Sequence, residues 1–261
     1  MLINQLILSF LQFKIVPPES VMDLENTGSV ADVIQPGIEI FGFILMEPMT
    51  VITDLLVSVV CFWAWFKLKG QTPNNATKFG RSFFFFLGWA AALGAIFGHG
   101  LIHLNKPYPW TYYLRLVGWL TSMLSVGFME RSAISHAANL VKPNVKKFFL
   151  GLNVAEMVLL TIITIATVKF IYVEVHSAYG FLFIILGFHL YNYRKSKNKG
   201  SKLMLLNTVV LLITFFIYNT PIIPHVWFNH RDLAHIFMAI SSYIMYLAVL
   251  NMKETPKLET V

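Results

Sequence analysis

One cysteine, Cys61, stands in a chain of 261 residues. A lone thiol closes no internal disulfide, and neither a CxxC motif nor a Cys/His zinc finger can be built from it. Inside its apolar run it reads as a buried small hydrophobe. Charge is also scarce. Asp, Glu, Lys and Arg make up 13% of the residues, too few to cover a water-soluble domain of this length. The first residues lack the early positive charge and the small-residue cleavage site of a signal peptide, so the N-terminus is expected to stay uncleaved. Internal repeats and low-complexity tracts are missing as well.

What is present is apolar. The chain is 56% hydrophobic with 23 phenylalanines, and its mean hydropathy is +0.64. Lipid is the solvent that suits such a composition. A membrane-spanning helix needs about 20 mostly apolar residues. Seven stretches qualify, near 48–67, 82–104, 110–130, 148–171, 177–193, 203–223 and 232–251. The separation of the fourth from the fifth rests on the polar break Glu174–Ser177. Short connections make successive helices antiparallel neighbours. The expected fold is therefore all-α, a bundle of seven transmembrane helices.

The net charge of +7 does not indicate a nucleic-acid surface, because the basic residues lie in short loops between apolar runs. Lys67, Lys69, Lys78 and Arg81 follow the first helix. Arg131, Lys142, Lys146 and Lys147 follow the third, and Arg194, Lys195, Lys197, Lys199 and Lys202 follow the fifth. The alternate connections carry far fewer: Lys106, then Lys169, then Arg231. The positive-inside rule puts the basic group in the cytoplasm, the N-terminus outside and the C-terminus inside. The expected location is a bacterial inner membrane. On this topology the sequon Asn75-Ala76-Thr77 faces the cytoplasm and has no role.

Three regions follow: an extracytoplasmic segment 1–37, the seven-helix domain 38–251 and a cytoplasmic tail 252–261. In Met1–Val16, Ile3, Leu6, Ile7, Phe10, Leu11 and Phe13 recur at helical spacing, with Asn4, Gln5, Ser9 and Gln12 on the other face. This predicts an amphipathic helix lying on the membrane or on the bundle. Pro17–Gln35 is acidic and loop-like.

Ionisable groups inside apolar helices each cost about 2.5–3.5 kcal/mol at the helix centre, so each calls for a partner or a purpose. The first helix opens with Glu47, Thr50 and Asp54 on one face, at i, i+3 and i+7. The second ends with His99 and His103 at i, i+4, and the last begins His230-Arg231-Asp232-Leu233-Ala234-His235. With the first and last helices starting outside and the second ending there, Asp54, His99 and His235 lie roughly one to two turns below the outer surface. Arg115 in the third helix can neutralise Asp54 or Glu47. Glu130, His136, Glu156 and His189 read as scattered groups in the inner leaflet, and His176 and His225 as loop residues.

Imidazoles and carboxylates at one depth suit Zn²⁺, and a zinc with a free position suits hydrolysis. The candidate metal ligands are His99, His235, His230, Asp232 and His103, with Asp54 or Glu47 as a base or an orienting group. His230 and His235 lie about 140° apart on a helix, so both can reach one ion only if His230 precedes the helix. Asp232 also reads as the N-cap of the last helix. Without a metal the same residues make a proton relay or an ion-pair network, as in a non-enzymatic receptor or an ion-coupled transporter.

At these residues the sequence resembles the CREST superfamily, which includes the alkaline ceramidases and the adiponectin-receptor (PAQR) group. Glu47, Thr50, Thr53 and Asp54 have spacings comparable to the E-x-x-N-T-x-S-N of the ceramidase first helix. His99 matches the histidine of S-x-x-x-H, and His235 the second histidine of H-x-x-x-H. The resemblance implies seven helices, an intramembrane zinc and hydrolysis of a lipid amide such as ceramide. The chain departs from the pattern at Ala95, where the family has serine, and at Arg231, where it has the first histidine of the last helix. Pro107–Trp110 offers no equivalent of the aspartate expected after the second helix. The chain is also similar to bacterial membrane proteins carrying F-N-H-x-D-x-x-H at the last helix. A microbial rhodopsin is set aside, because Ile236–Leu250 contains no lysine for retinal.

Overall fold

Proline begins several of the helices and asparagine caps others. Pro48 stands at the first position of α1 (Pro48–Lys67), and Pro143 at that of α4 (Pro143–Thr167). There its fixed φ suits the helix and its missing N–H costs nothing. The Asn74 side chain accepts from the Thr77 N–H at the start of α2 (Asn75–Gly100). Asn198 does the same for Ser201 at the start of α6 (Lys199–Tyr218). α3 spans Pro109–His136, α5 spans Ile171–Ser196 and α7 spans His230–Leu250. This computed structural model describes residues 14–17, 20, 35–71, 74–104 and 109–252.

Six of these helices are long and apolar enough to cross a membrane: α1, α2, α4, α5, α6 and α7. α3, which carries Arg115, Glu130 and Arg131, is not among them. Large apolar side chains cover the outside of the bundle, including Phe148, Leu159, Ile162, Phe183 and Phe216. Only 11% of the apolar window of α4 is buried within the chain. Such a surface suits hydrocarbon rather than water. The chain thus has the build of a multi-pass membrane protein.

α1 packs against both α2 and α7, which also touch each other; α3 packs on α2, α4 and α5, and α6 lies between α5 and α7. Small hydroxyl groups bind the helices together. Ser58 Oγ donates to the Gly88 carbonyl at 2.8 Å, and Ser132 Oγ to the Ala76 carbonyl at 2.7 Å. Ser241 Oγ donates to Asn207 Oδ1 at 2.9 Å. Each such bond between membrane helices contributes about 0.6 kcal/mol. Cys61 is free and buried, with Sγ 3.6 Å from Ser242 Oγ.

The described part of the chain is not purely helical. Strands β1 (Lys14–Val16), β2 (Gly37–Ile40) and β3 (Phe43–Leu45) form an antiparallel sheet in that order. Lys14 faces Glu39 across the first pairing, with their charges 3.6 Å apart. Phe41 and Gly42, both at positive φ, make the turn between β2 and β3, the combination that a tight hairpin requires. The hairpin is tied to the end of α2 by a bond from the Met46 N–H to the Gly100 carbonyl, 3.0 Å. The helical domain expected from residue 38 therefore begins with two strands. Of the amphipathic helix expected over Met1–Val16, Lys14–Val16 is a strand and the rest lies outside the described residues, as does nearly all of the expected tail.

Helix limits shift by several residues, most tellingly in α2 and α5. The polar stretch Glu174–Ser177 lies inside α5, and the break from α4 falls at Val168–Phe170 instead, with Val168 at φ 51°. α2 starts at Asn75 rather than 82. Its last seven residues, Gly94–Gly100, widen into a π-helix before a 3-10 turn at Ile102–Leu104.

Candidate metal centre

α1, α2 and α7 bring Asp54, His99 and His235 together. One donor atom from each lies within 4.8 Å of the other two. Two donors on one tetrahedral zinc stand about 3.3 Å apart, so small side-chain rotations close the set. Asp54 and His235 are buried, and the His99 side chain is 19% exposed, which leaves a route to the group from one side.

Each of the two imidazoles has one nitrogen engaged. His99 Nδ1 lies 2.7 Å from Glu47 Oε2. A carboxylate only accepts, so Nδ1 carries the proton and Nε2 keeps its lone pair. His235 Nδ1 lies 3.3 Å from Thr53 Oγ1. That hydroxyl turns its proton to the Met49 and Thr50 carbonyls, at 3.0 and 3.2 Å, and so accepts from the ring. Nε2 of His235 is then the nitrogen with a free lone pair. Pinning one ring nitrogen to a carboxylate or hydroxyl is how proteins orient a metal-binding histidine.

The backbone is shaped to this arrangement. Glu47 sits at φ 44°, ψ 52° immediately before Pro48. The left-handed region costs a non-glycine residue about 1–3 kcal/mol and persists where surrounding contacts enforce it. Here it turns a fully buried carboxylate into the bundle, where Oε2 holds His99 and Oε1 accepts from Arg231 Nη1 at 3.3 Å. Gly94 opens the π segment that carries His99. A Cβ there would lie 2.8 Å from Asp54 Oδ2, so only glycine leaves room for the carboxylate. π segments of this kind are frequent at functional sites.

A family profile covers residues 49–254, from the first turn of α1 to just beyond α7. The chain belongs to the DUF6962 family, a family of unknown function. No curated protein and no solved structure matches it. The matched stretch of this DUF6962 protein contains Asp54, His99 and His235; Glu47 falls just ahead of it.

Of the other candidate residues, none joins the three. His230 is the first residue of α7, so it faces away from His235, and its ring packs 6.4 Å from that of Tyr218. Asp232 is the third residue of α7 rather than its N-cap. Asn229 holds the cap, and Asp232 Oδ2 accepts from the Asn229 N–H at 2.6 Å and from Gln35 Nε2 at 2.5 Å. His103 falls in the 3-10 turn beyond α2, because the π-helix breaks the i, i+4 phase that would stack it on His99. Both Glu47 oxygens are engaged, so Glu47 positions its neighbours and is not a free base. Arg115 lies over the Trp119 ring at 4.9 Å; the guanidinium that meets Glu47 is that of Arg231. Nothing in the sequence pointed to Gly94, and Thr53 entered only through the ceramidase-like spacing, without its contact to His235. The clashing Cβ at position 94 has no signature in a single sequence.

Three residues set down as scattered or as loop also converge. His176 lies within α5, fully buried, and meets Glu130 of α3 and Glu156 of α4 with donor atoms within 4.8 Å. His136 and His189 are not isolated either, since their rings are 5.7 Å apart.

Proposed function

We propose that this protein spans the membrane seven times with its N-terminus outside, and that Asp54, His99 and His235 form a zinc centre that hydrolyses a lipid amide or ester. The carrying observation is the pair of oriented histidines, His99 on Glu47 and His235 on Thr53, facing one carboxylate. Three protein donors make an incomplete tetrahedral shell, the hallmark of catalytic rather than structural zinc. When bound, the ion supplies Lewis acidity for a carbonyl and makes water nucleophilic near neutral pH.

The chain's own residues have separable tasks. Glu47 fixes the His99 tautomer and Arg231 balances the Glu47 charge. Thr53 fixes His235, and Gly94 makes space for Asp54. The lipid character of the substrate follows from the surroundings, an apolar outer surface around a group lying within the bundle. The resemblance to the alkaline ceramidases at Glu47, Thr50, Thr53, Asp54, His99 and His235 places an amide first. Arg231 stands where that family has a histidine and serves Glu47 instead, so Asp54 is assigned as the third ligand. On this reading α3 is the seventh span, and the basic loops favour a cytoplasmic C-terminus in a bacterial inner membrane.

The test is zinc content together with release of fatty acid from ceramide and from ester lipids in nanodiscs. Wild type is expected to hold zinc and to turn over at least one of these lipids, and His99→Ala with His235→Ala to lose the zinc of this centre together with the turnover. A wild type whose zinc content does not depend on these histidines sinks the reading. Zinc without turnover of any lipid moves the same centre to a sensing role.

A further inference from the structure

We infer a second divalent-cation site, separate from the first, made by Glu130, Glu156 and His176 where α3, α4 and α5 meet. It does not depend on the hydrolase reading.

The histidine is already prepared for a metal. His176 Nε2 lies 2.8 Å from the Met123 carbonyl, an acceptor only, so Nε2 carries the proton and Nδ1 keeps its lone pair. Nδ1 lies 2.5 Å from Glu156 Oε1. At that distance only a proton lies between them, and a cation takes its place once the two atoms part to about 3.3 Å, the spacing that two ligands of one zinc need. The backbone carbonyl behind the ring is the outer partner common for metal-binding histidines.

The second carboxylate supplies the independent observation. Glu130 is fully buried, and its Oε1 has no hydrogen-bond partner. Its other oxygen accepts from Asn153 Nδ2 at 3.0 Å, and Asn153 Oδ1 in turn accepts from Arg131 Nε at 2.7 Å. The free Oε1 points at α5 beside Gly180, one turn beyond His176, where a Cβ would lie 2.6 Å away. Glu156 Oε2 is likewise buried and unpartnered. An unmet buried carboxylate oxygen costs about 1–3 kcal/mol or more, so two of them beside one imidazole call for a ligand.

Charge selects the ion. Two carboxylates and a neutral imidazole carry two negative charges, which one divalent cation cancels. Imidazole with two carboxylates suits zinc better than calcium or magnesium, which prefer oxygen alone. The three donors come from three helices, and none is the lone thiol Cys61. A cation here fastens α4 and α5 to α3.

The experiment uses the full chain in nanodiscs, stripped with chelator, reloaded with Zn²⁺ and counted by elemental analysis. Two ions per chain are expected for wild type, one for His99→Ala/His235→Ala and one for Glu130→Gln/Glu156→Gln. A count that is the same in wild type and in Glu130→Gln/Glu156→Gln overturns the second site. A count insensitive to His99→Ala/His235→Ala instead overturns the first and leaves the second standing. Should the double glutamine variant not fold, Co²⁺ titration of His99→Ala/His235→Ala decides. One saturating ion, with ligand-field absorption and no thiolate band, supports the inference, and no saturable spectrum overturns it.

Discussion

Asp54, His99 and His235 join the first, second and last helices; Glu130, Glu156 and His176 join the third, fourth and fifth. The two groups share three devices. Each has a histidine with one nitrogen held at 2.7–2.8 Å by an oxygen that accepts only. Each has a glycine whose Cβ would strike a carboxylate oxygen, Gly94 against Asp54 and Gly180 against Glu130. Each has a π segment beside it, Gly94–Gly100 and Gly180–Ile185. They differ in what lies behind the histidine. His99 leans on the Glu47 side chain, which also bears the Arg231 charge, whereas His176 leans on a backbone carbonyl. Each keeps one partly exposed member, His99 at 19% and Glu156 at 12%. A side-chain partner raises ligand basicity, as chemistry needs. A carbonyl partner fits an ion that holds helices together.

The comparison breaks most readily at the histidines. His99→Ala/His235→Ala is expected to lower lipid turnover by more than about 100-fold, beyond the loss of an outer partner, while zinc still raises the melting temperature. Ion binding at about 100 times Kd adds about 2.7 kcal/mol of stability. In Glu130→Gln/Glu156→Gln that zinc-dependent rise should shrink by the share of the second ion, read by calorimetry. Equal rises in wild type and both variants would erase the division between a centre for chemistry and one for holding helices.

Glu47→Gln tests the side-chain partner itself. The amide oxygen still accepts from His99 Nδ1, so the tautomer survives while the negative charge goes. Zinc affinity at the first centre is expected to fall by about 10–100-fold, measured by competition with a chelator, with occupancy of the second centre unchanged. Arg231, left without its carboxylate, adds to the loss.

The glycines come next. Gly94→Ala and Gly180→Ala each place a methyl group 2.8 or 2.6 Å from a carboxylate oxygen. Overpacking of this kind costs about 1–3 kcal/mol, which is about 5- to 150-fold in affinity. The losses should not cross, so that Gly94→Ala weakens the first ion only and Gly180→Ala the second only. Matching losses at both centres in either variant would show general loosening of the bundle instead.

Hydropathy made the helices legible and concealed the second group. The bounds of α1 follow from Glu47-Pro48 and the basic residues after it, and the depth of Asp54, His99 and His235 from counting residues along antiparallel helices. Depth is a property of sequence position; facing is not. Glu130 and Glu156 looked scattered because their separation along the chain hides the angle at which α3 and α4 meet. His176 looked like a loop residue because Glu174–Ser177 lowers local hydropathy, although His176 itself points inward. His103 and His230 were drawn into the first centre by helical spacing, which the π segment and the start of α7 shift out of phase. The hairpin did leave a trace, Phe41-Gly42 between short apolar runs, easily read as the approach to the first helix.

Thr53 marks the smallest step between the two groups, a side-chain hydroxyl behind His235 with no counterpart behind His176. Its Oγ1 lies 3.3 Å from His235 Nδ1, near the long end of hydrogen bonds. Thr53→Val keeps the shape and removes the acceptor. A neutral bond of this kind is worth about 0.5–1.5 kcal/mol, and the length places this one at the lower end, so a loss of about threefold in zinc affinity is expected. Thr53→Ser should restore it, because the hydroxyl and its contacts to the Met49 and Thr50 carbonyls return. If valine and serine behave alike in chelator competition, Thr53 serves only to pack α1 against α7. The tautomer of His235 would then be set by the Thr50 carbonyl, to which the ring also hydrogen-bonds, giving that histidine the same backbone support as His176 and leaving Glu47 as the feature that separates the two centres.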